Sequence, residues 1–108
     1  MSFANKSEKL VNELIQAEYK NACTQFGEKY NSLHEGYAVL LEEVEEAEIE
    51  MKKIKRDLES LWLFIKRNDT EMINLNLGRI QESGLSCMKE LAQVGAVFMK
   101  IKNTLEVK

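Results

Sequence analysis

Apolar residues recur in steps of three and four along two long stretches of the chain. The first stretch covers residues 37–65 and the second covers residues 73–105, with a short polar break at residues 67–70 between them. Side chains at this spacing line up on one side of a helix, where they form the seam of a coiled coil. The pattern therefore predicts two long helices that pair as an antiparallel hairpin, with residues 40–65 packed against residues 73–98.

A shorter amphipathic helix is expected before the hairpin. It begins near Ser7 and ends at Gly27, since glycine favours the backbone conformation that terminates a helix. The second helix opens with a capping box, because Ser32 is followed three residues later by Glu35. Three helices then account for nearly the whole chain.

Composition supports one small helical domain. The 108 residues include no proline, and long helices rich in Glu, Lys, Leu and Ala are favoured by such a sequence. We therefore expect an all-α fold, a long antiparallel helical hairpin plus an N-terminal amphipathic helix, forming a single domain over residues 1–108 that assembles into a helical bundle. A core of this size is modest, which favours oligomers.

Charge and hydropathy exclude several classes of function. The net charge of −3, with mixed signs along the chain, gives no basic field for nucleic acid. The longest apolar run, residues 61–65, is too short to span a membrane, and the first ten residues lack the apolar segment of a signal peptide. We expect a cytoplasmic protein without nucleic-acid or membrane partners, in which Cys23 and Cys87 are reduced and structural.

The candidate functional residues lie beside the seam, in two pairs whose side chains carry oxygen atoms. The pairs are Glu43 with Glu46 and Glu90 with Gln93, and both have the same spacing of three residues. When the seam residues are labelled a and d, each pair holds positions g and c of its heptad. Position g faces g in an antiparallel hairpin, and a short turn places the two pairs at the same height. The sequence therefore predicts an acidic cluster between the helices.

Like charges gathered across a seam are unfavourable unless something compensates them. A Mg²⁺ or Mn²⁺ ion does so, because these hard cations prefer carboxylate and amide oxygens. A solvated acidic face over residues 42–50 is the alternative that spacing alone leaves open.

Two segments resemble motifs of a known superfamily. The segment LEEVEE at residues 41–46 resembles the E-E-x-x-E motif of the MazG and dimeric dUTPase superfamily of all-α nucleoside triphosphate pyrophosphohydrolases. The preceding HEGYAVLL, residues 34–41, is similar to the phage-borne MazG-like branch, and KELAQV at residues 89–94 resembles the second motif, E-x-x-D.

The resemblance implies a fold, a reaction and a set of ligands. By motif, the metal ligands map to Glu43, Glu46, Glu90 and Gln93, and the three glutamates are the implied catalytic residues. The implied reaction is Mg²⁺-dependent or Mn²⁺-dependent cleavage of a nucleoside triphosphate to the monophosphate and pyrophosphate, by a homodimer or tetramer. Bound metal lowers the pKa of the attacking water, so no covalent nucleophile is required.

The chain departs from the superfamily pattern in two ways. Gln93 replaces an aspartate, which removes one negative charge and predicts looser metal binding and reduced activity. The segment between the two motifs is also longer than usual. If both helices of the hairpin are longer by the same amount, the heptad pattern continues and the two motifs still lie side by side. The alternative function is a non-enzymatic helical interaction protein, of phage or mobile-element type, that retains the fold. Either way, the apolar segment at residues 62–64 predicts a self-associating chain.

Overall fold

Three helices make up the part of the chain that the structure describes. The computed structural model describes residues 3–106, with the side chains of residues 5–106, so the four terminal residues of the predicted single domain lie outside the described range. Helix α1 spans Phe3–Phe26, helix α2 spans Leu33–Lys66, and helix α3 spans Thr70–Leu105. These helices pack on one another and no strand occurs within residues 3–106, so the predicted all-α class is confirmed. None of the three helices, over the residues described, is long and apolar enough to cross a membrane.

Helix α1 ends, and α2 begins, where the sequence predicts. Gly27 adopts a φ of 86°, a conformation that side-chain-bearing residues avoid, so the helix stops at Phe26. At the start of α2 the backbone N–H of Glu35 donates to Ser32 Oγ over 3.1 Å. The Glu35 carboxylate accepts from the backbone N–H of Asn31 at 2.9 Å. The capping box therefore forms, except that the Glu35 carboxylate accepts from the backbone N–H of Asn31 and not from that of Ser32.

A three-residue turn at residues 67–69 joins α2 to α3. Asn68 takes a left-handed φ of 54°, which asparagine tolerates better than most residues. The carboxylate of Asp69 caps the next helix, because its Oδ1 accepts from the backbone N–H of Met72 at 3.2 Å. So short a connection leaves the two long helices antiparallel.

The chain divides into two compact units that share the long helices. The first unit combines α1 and the start of α2, through Val44, with the part of α3 from Leu91 onward. The second unit is the hairpin Glu45–Glu90, made from the remainder of α2 and α3.

In the first unit, α1 packs closely on α3. A Cβ atom built on Gly95 would lie 2.9 to 3.1 Å from three side-chain atoms of Ile15, so a glycine is needed for this approach. Farther along the same contact, the Asn103 amide donates to the Tyr19 hydroxyl. The buried Lys100 holds its ammonium 4.3 Å from the centre of the Tyr30 ring, a cation–π contact that places the aliphatic stem in the core.

In the second unit, the helices meet through a side that is more polar than the predicted seam. Ala47 and Cys87, both at position d, are buried, and the Cys87 thiol lies 3.9 Å from the Ala47 carbonyl oxygen. Position g is also turned inward: Asn76 is only 2% exposed, and Ser83 and Glu90 are half-buried. The helices therefore contact each other through positions d and g.

This rotation leaves position a outside. Met51 is 55% exposed, Leu58 49%, Ile65 44% and Leu77 47%. The heptad pattern predicts that a and d are buried together, and for position a of this unit that prediction is wrong. The physical reason is that an isolated pair of helices cannot enclose a, d and g at once, and here g takes the place of a at the contact. Both cysteines are free, with Cys87 buried and Cys23 half-buried.

The close packing of α1 on α3 can be tested at Gly95. We expect Gly95→Ala to lower the free energy of unfolding by about 1–2 kcal/mol, because overpacking against the stiff Ile15 side chain outweighs the gain in helix propensity. Gly78→Ala is the matched control on the same helix, since nothing lies within 4 Å of a Cβ there, and it should raise stability by up to about 1 kcal/mol. Urea unfolding followed by circular dichroism measures both. If the two substitutions stabilise the protein equally, the close packing of α1 on α3 at Gly95 is contradicted.

Candidate functional site

The candidate site is built on two uninterrupted helices. Glu43 and Glu46 lie one turn apart on α2, and Glu90 lies on α3. A spacing of three residues places the first two side chains on the same side of their helix. Because α2 is capped at its start and continues to Lys66, neither glutamate depends on a loop for its position.

The carboxylates lie close together. In the second unit, a carboxylate oxygen of Glu46 and one of Glu90 lie within 4.8 Å of each other, and along α2 the same limit holds between Glu43 and Glu46. None of the three side chains is buried, so each is open to an incoming ion. Gln93 follows Glu90 by one turn on α3 and is half-buried.

The contact between Glu46 and Glu90 has an electrostatic signature. The pKa of Glu46 is raised above its ordinary value, first because its carboxyl group shares a hydrogen bond with Glu90, then because of partial burial and the negative charge of Glu90. The arrangement therefore favours holding a proton, or another positive charge, between the two groups.

The register of the hairpin explains why these residues meet. The contact of Ala47 with Cys87 sets the level of the two helices, and Glu46 and Glu90 lie within one turn of it. The sequence predicts that oxygen-bearing side chains from α2 and α3 lie at the same height, and Glu46 and Glu90 do so. That they act as ligands stays a prediction.

The donor set fits a hard divalent cation. Its members are carboxylate oxygens, which Mg²⁺ and Mn²⁺ prefer to nitrogen or sulfur. Two oxygens bound to one Mg²⁺ at about 2.1 Å lie at most about 4.2 Å apart. The separation between Glu46 and Glu90 thus needs only a small side-chain rotation to bring both onto one ion.

Two polar residues escape prediction from sequence. Tyr30 is half-buried in the connection before α2, and its pKa is raised by burial and by the negative charges of Glu35 and Glu43. No periodic pattern covers that connection, so nothing in the sequence marks it. Asn76 is buried without a hydrogen-bond partner for its Oδ1. It occupies position g two heptads before Glu90, a signal that becomes readable once g is known to face inward.

No model of a known protein family, no curated protein and no solved structure matches the chain. The function is therefore inferred from the residues of the site.

The electrostatic contact can be tested through the pH dependence of stability. A carboxyl group whose folded pKa is raised favours the fold in its protonated form, and this contribution is lost as the pH rises through that pKa. Glu46→Gln imitates the protonated form. It should therefore raise the melting temperature at pH 7 in the presence of a chelator, and the gain should shrink as the pH falls toward the ordinary value of 4.5.

Glu45→Gln is the matched control, because it removes the same charge from the next position of the same helix, at an exposed side chain. Differential scanning calorimetry across pH 4 to 8 compares the variants. A gain at pH 7 that is equal for both substitutions would mean that only net charge changed.

Proposed function

We propose that the chain is a MazG-like, Mg²⁺-dependent nucleoside triphosphate pyrophosphohydrolase of reduced activity, related to the phage-type branch and acting in the cytoplasm. The observation that carries the proposal is the approach of Glu46 to Glu90, because these residues come from the two segments that resemble the superfamily motifs. Two segments separated by residues 47–88 in the sequence thus supply one group of oxygen donors, as the motifs require.

Each residue has a defined part in the proposal. Glu43, Glu46 and Glu90 supply the charged oxygen ligands, and Gln93 supplies a neutral amide oxygen. A divalent ion held there would neutralise phosphate oxygens and lower the pKa of a water molecule. The raised pKa of Glu46 means that ion binding must compete with a proton, so affinity should fall in mildly acidic solution.

The metal site can be tested without any substrate. Mn²⁺ should raise the melting temperature of the wild-type protein, since a ligand that binds only the folded state stabilises it. Glu46→Gln should abolish this shift, although it stabilises the metal-free protein, and Glu45→Gln should retain it. Gln93→Asp should enlarge the shift because it restores a charged ligand. The measurement is the melting temperature as a function of Mn²⁺ concentration. If the melting temperature of the wild type does not change, the proposed metal site is wrong.

The reaction is tested by release of pyrophosphate from the common nucleoside triphosphates with Mg²⁺ or Mn²⁺. We expect slow, metal-dependent release by the wild type, none by Glu46→Gln, and roughly a tenfold or larger increase for Gln93→Asp, since each 1.4 kcal/mol of added stabilisation of the transition state is worth tenfold in rate. If the wild type and Gln93→Asp bind metal but release no pyrophosphate, the metal site is supported and the proposed reaction is wrong.

A non-enzymatic helical interaction protein is the second candidate. It is favoured by Gln93 in place of aspartate and by the exposed apolar residues of the second unit, such as Leu58 and Leu77. The two candidates differ in what Gln93→Asp does: it should increase metal-dependent hydrolysis in a weakened enzyme, and it should have no effect on a chain that serves only to bind other proteins.

A further inference from the structure

Lys100 is a buried charge in the first unit. It is 6% exposed, and among the described residues it is the only charged side chain that is buried. Within residues 5–106 its ammonium has no carboxylate partner and donates no hydrogen bond. Taking a charge out of water is unfavourable unless the charge is paired. The fold therefore leaves Lys100 with a positive charge and three N–H donors that the surrounding residues do not satisfy.

Two aromatic rings lie beside the ammonium. The Lys100 Nζ is 4.3 Å from the centre of the Tyr30 ring and 6.0 Å from that of Phe26. A ring face attracts a cation but offers no strong hydrogen-bond acceptor, so these contacts offset only part of the cost of burial. The ammonium keeps some contact with solvent, because the only fully enclosed side-chain N or O atom without a hydrogen bond in residues 5–106 is Asn76 Oδ1. Its N–H groups are therefore accessible to a ligand.

The hydroxyl of Tyr30 is a second donor near the ammonium. It makes no hydrogen bond within the described part of the chain. Its pKa is raised by burial and by the negative charges of Glu35 and Glu43, so it keeps its proton at neutral pH. Because the hydroxyl belongs to the ring that the ammonium contacts, one tetrahedral oxyanion can accept hydrogen bonds from both groups.

Hydrogen bonds and packing fix Tyr30 beside Lys100. The Thr104 hydroxyl accepts from the backbone N–H of Tyr30 at 2.8 Å and donates to the Lys100 carbonyl oxygen at 2.9 Å. The Tyr30 ring also lies against the start of α2, where a Cβ atom on Gly36 would be 3.2 Å from the ring and 2.8 Å from Ile101. The two donors are therefore held in place before any ligand binds, which lowers the entropic cost of binding.

The two donors lie near two candidate metal ligands of the first unit. Lys100 and Gln93 both occupy heptad position c of α3, two helical turns or about 10 Å apart. A side chain on a helix is inclined toward the helix N-terminus, which directs Lys100 toward Gln93. The negative charge of Glu43 acts on the Tyr30 hydroxyl, so these two groups are also close. Oxygen ligands for a cation and donors for an anion thus lie within the length of one ligand.

We propose that the Lys100 ammonium and the Tyr30 hydroxyl bind a phosphate group. Lysine binds phosphate as a point charge, and the several oxygens of a phosphate can accept from both donors at once. The ligand is a polyphosphate, because a second phosphate of the same chain can reach an ion held beside Glu43 and Gln93. Binding of phosphate by Lys100 does not depend on the proposed reaction, whereas the identification of the ligand as a polyphosphate rests on the proposed function.

Binding of pyrophosphate to the metal-free chain tests the phosphate site. With a chelator and at constant ionic strength, pyrophosphate should raise the melting temperature of the wild type, because it binds only the folded state. Lys100→Met removes the charge and keeps an unbranched side chain, and it should raise the dissociation constant by a factor of about 30 or more. Tyr30→Phe keeps the ring and should raise the dissociation constant by a factor of about 10.

Lys102→Met is the matched control, since it removes the same charge from an exposed side chain two positions along α3. It should bind pyrophosphate as the wild type does. Without ligand, Lys100→Met should be at least as stable as the wild type, because a buried unpaired charge is lost, and circular dichroism checks its helix content. If the melting temperature of the wild type does not respond to about 10 mM pyrophosphate, or if the two methionine variants respond equally, the phosphate site is wrong.

Mn²⁺ separates the phosphate site from the proposed metal site. Glu35 and Glu43 repel an anion near Tyr30, and an ion bound beside Glu43 removes part of that repulsion. The wild type should therefore bind pyrophosphate more tightly with Mn²⁺, and Lys100→Met should retain the shift caused by Mn²⁺ alone. If the wild type shows no shift with Mn²⁺, the metal site is wrong, and the measurements with chelator still decide the phosphate site.

Comparison of phosphate compounds identifies the ligand. With Mn²⁺, a nucleoside triphosphate should bind at least about tenfold more tightly than a nucleoside monophosphate or inorganic phosphate, because its phosphate chain reaches both the ion and Lys100. Lys100→Met should remove most of this difference. If inorganic phosphate binds as tightly as the triphosphate, the identification of the ligand as a polyphosphate is wrong.

Discussion

The contact between positions d and g of α2 and α3 determines most of the second unit. At the level of Ala47 and Cys87 the helices approach closely, because both side chains are small. The same contact turns Asn76 and Glu90 inward and turns Leu58 and Leu77 outward. One rotation of the helices about their axes thus brings Glu46 close to Glu90 and exposes the apolar side chains at position a.

The helices and their ends follow from local rules, and sequence therefore predicts them well. Heptad spacing, the Ser32 capping box and Gly27 each act over a few residues, so their outcome depends little on the rest of the fold. The approach of Glu46 to Glu90 is also predictable, since it needs only an antiparallel register, which the three-residue turn supplies.

The side of each helix that faces its neighbour is harder to predict. The sequence places Leu58 and Asp57 at adjacent positions, and hydrophobicity alone assigns the leucine to the interior. In the structure Leu58 is 49% exposed and Asp57 is half-buried. The heptad pattern indicates which side of a helix is apolar. It does not indicate whether the other helix of the hairpin or a further helix packs against that side. The exposed a positions are therefore where sequence reasoning from a single pair of helices fails.

The polar side chains at the contact between α2 and α3, at position g and at the neighbouring position c of Glu46, make the hairpin a weak structure by itself. Glu46 and Glu90 repel each other when both are charged, and Asn76 is buried with an unsatisfied oxygen, which is unfavourable compared with an apolar contact. A hairpin with such an interior needs apolar burial elsewhere, and positions a and d are the available source. Stability supplied by positions a and d offsets the repulsion between Glu46 and Glu90, so the composition of the candidate site is not determined by the stability of the hairpin alone.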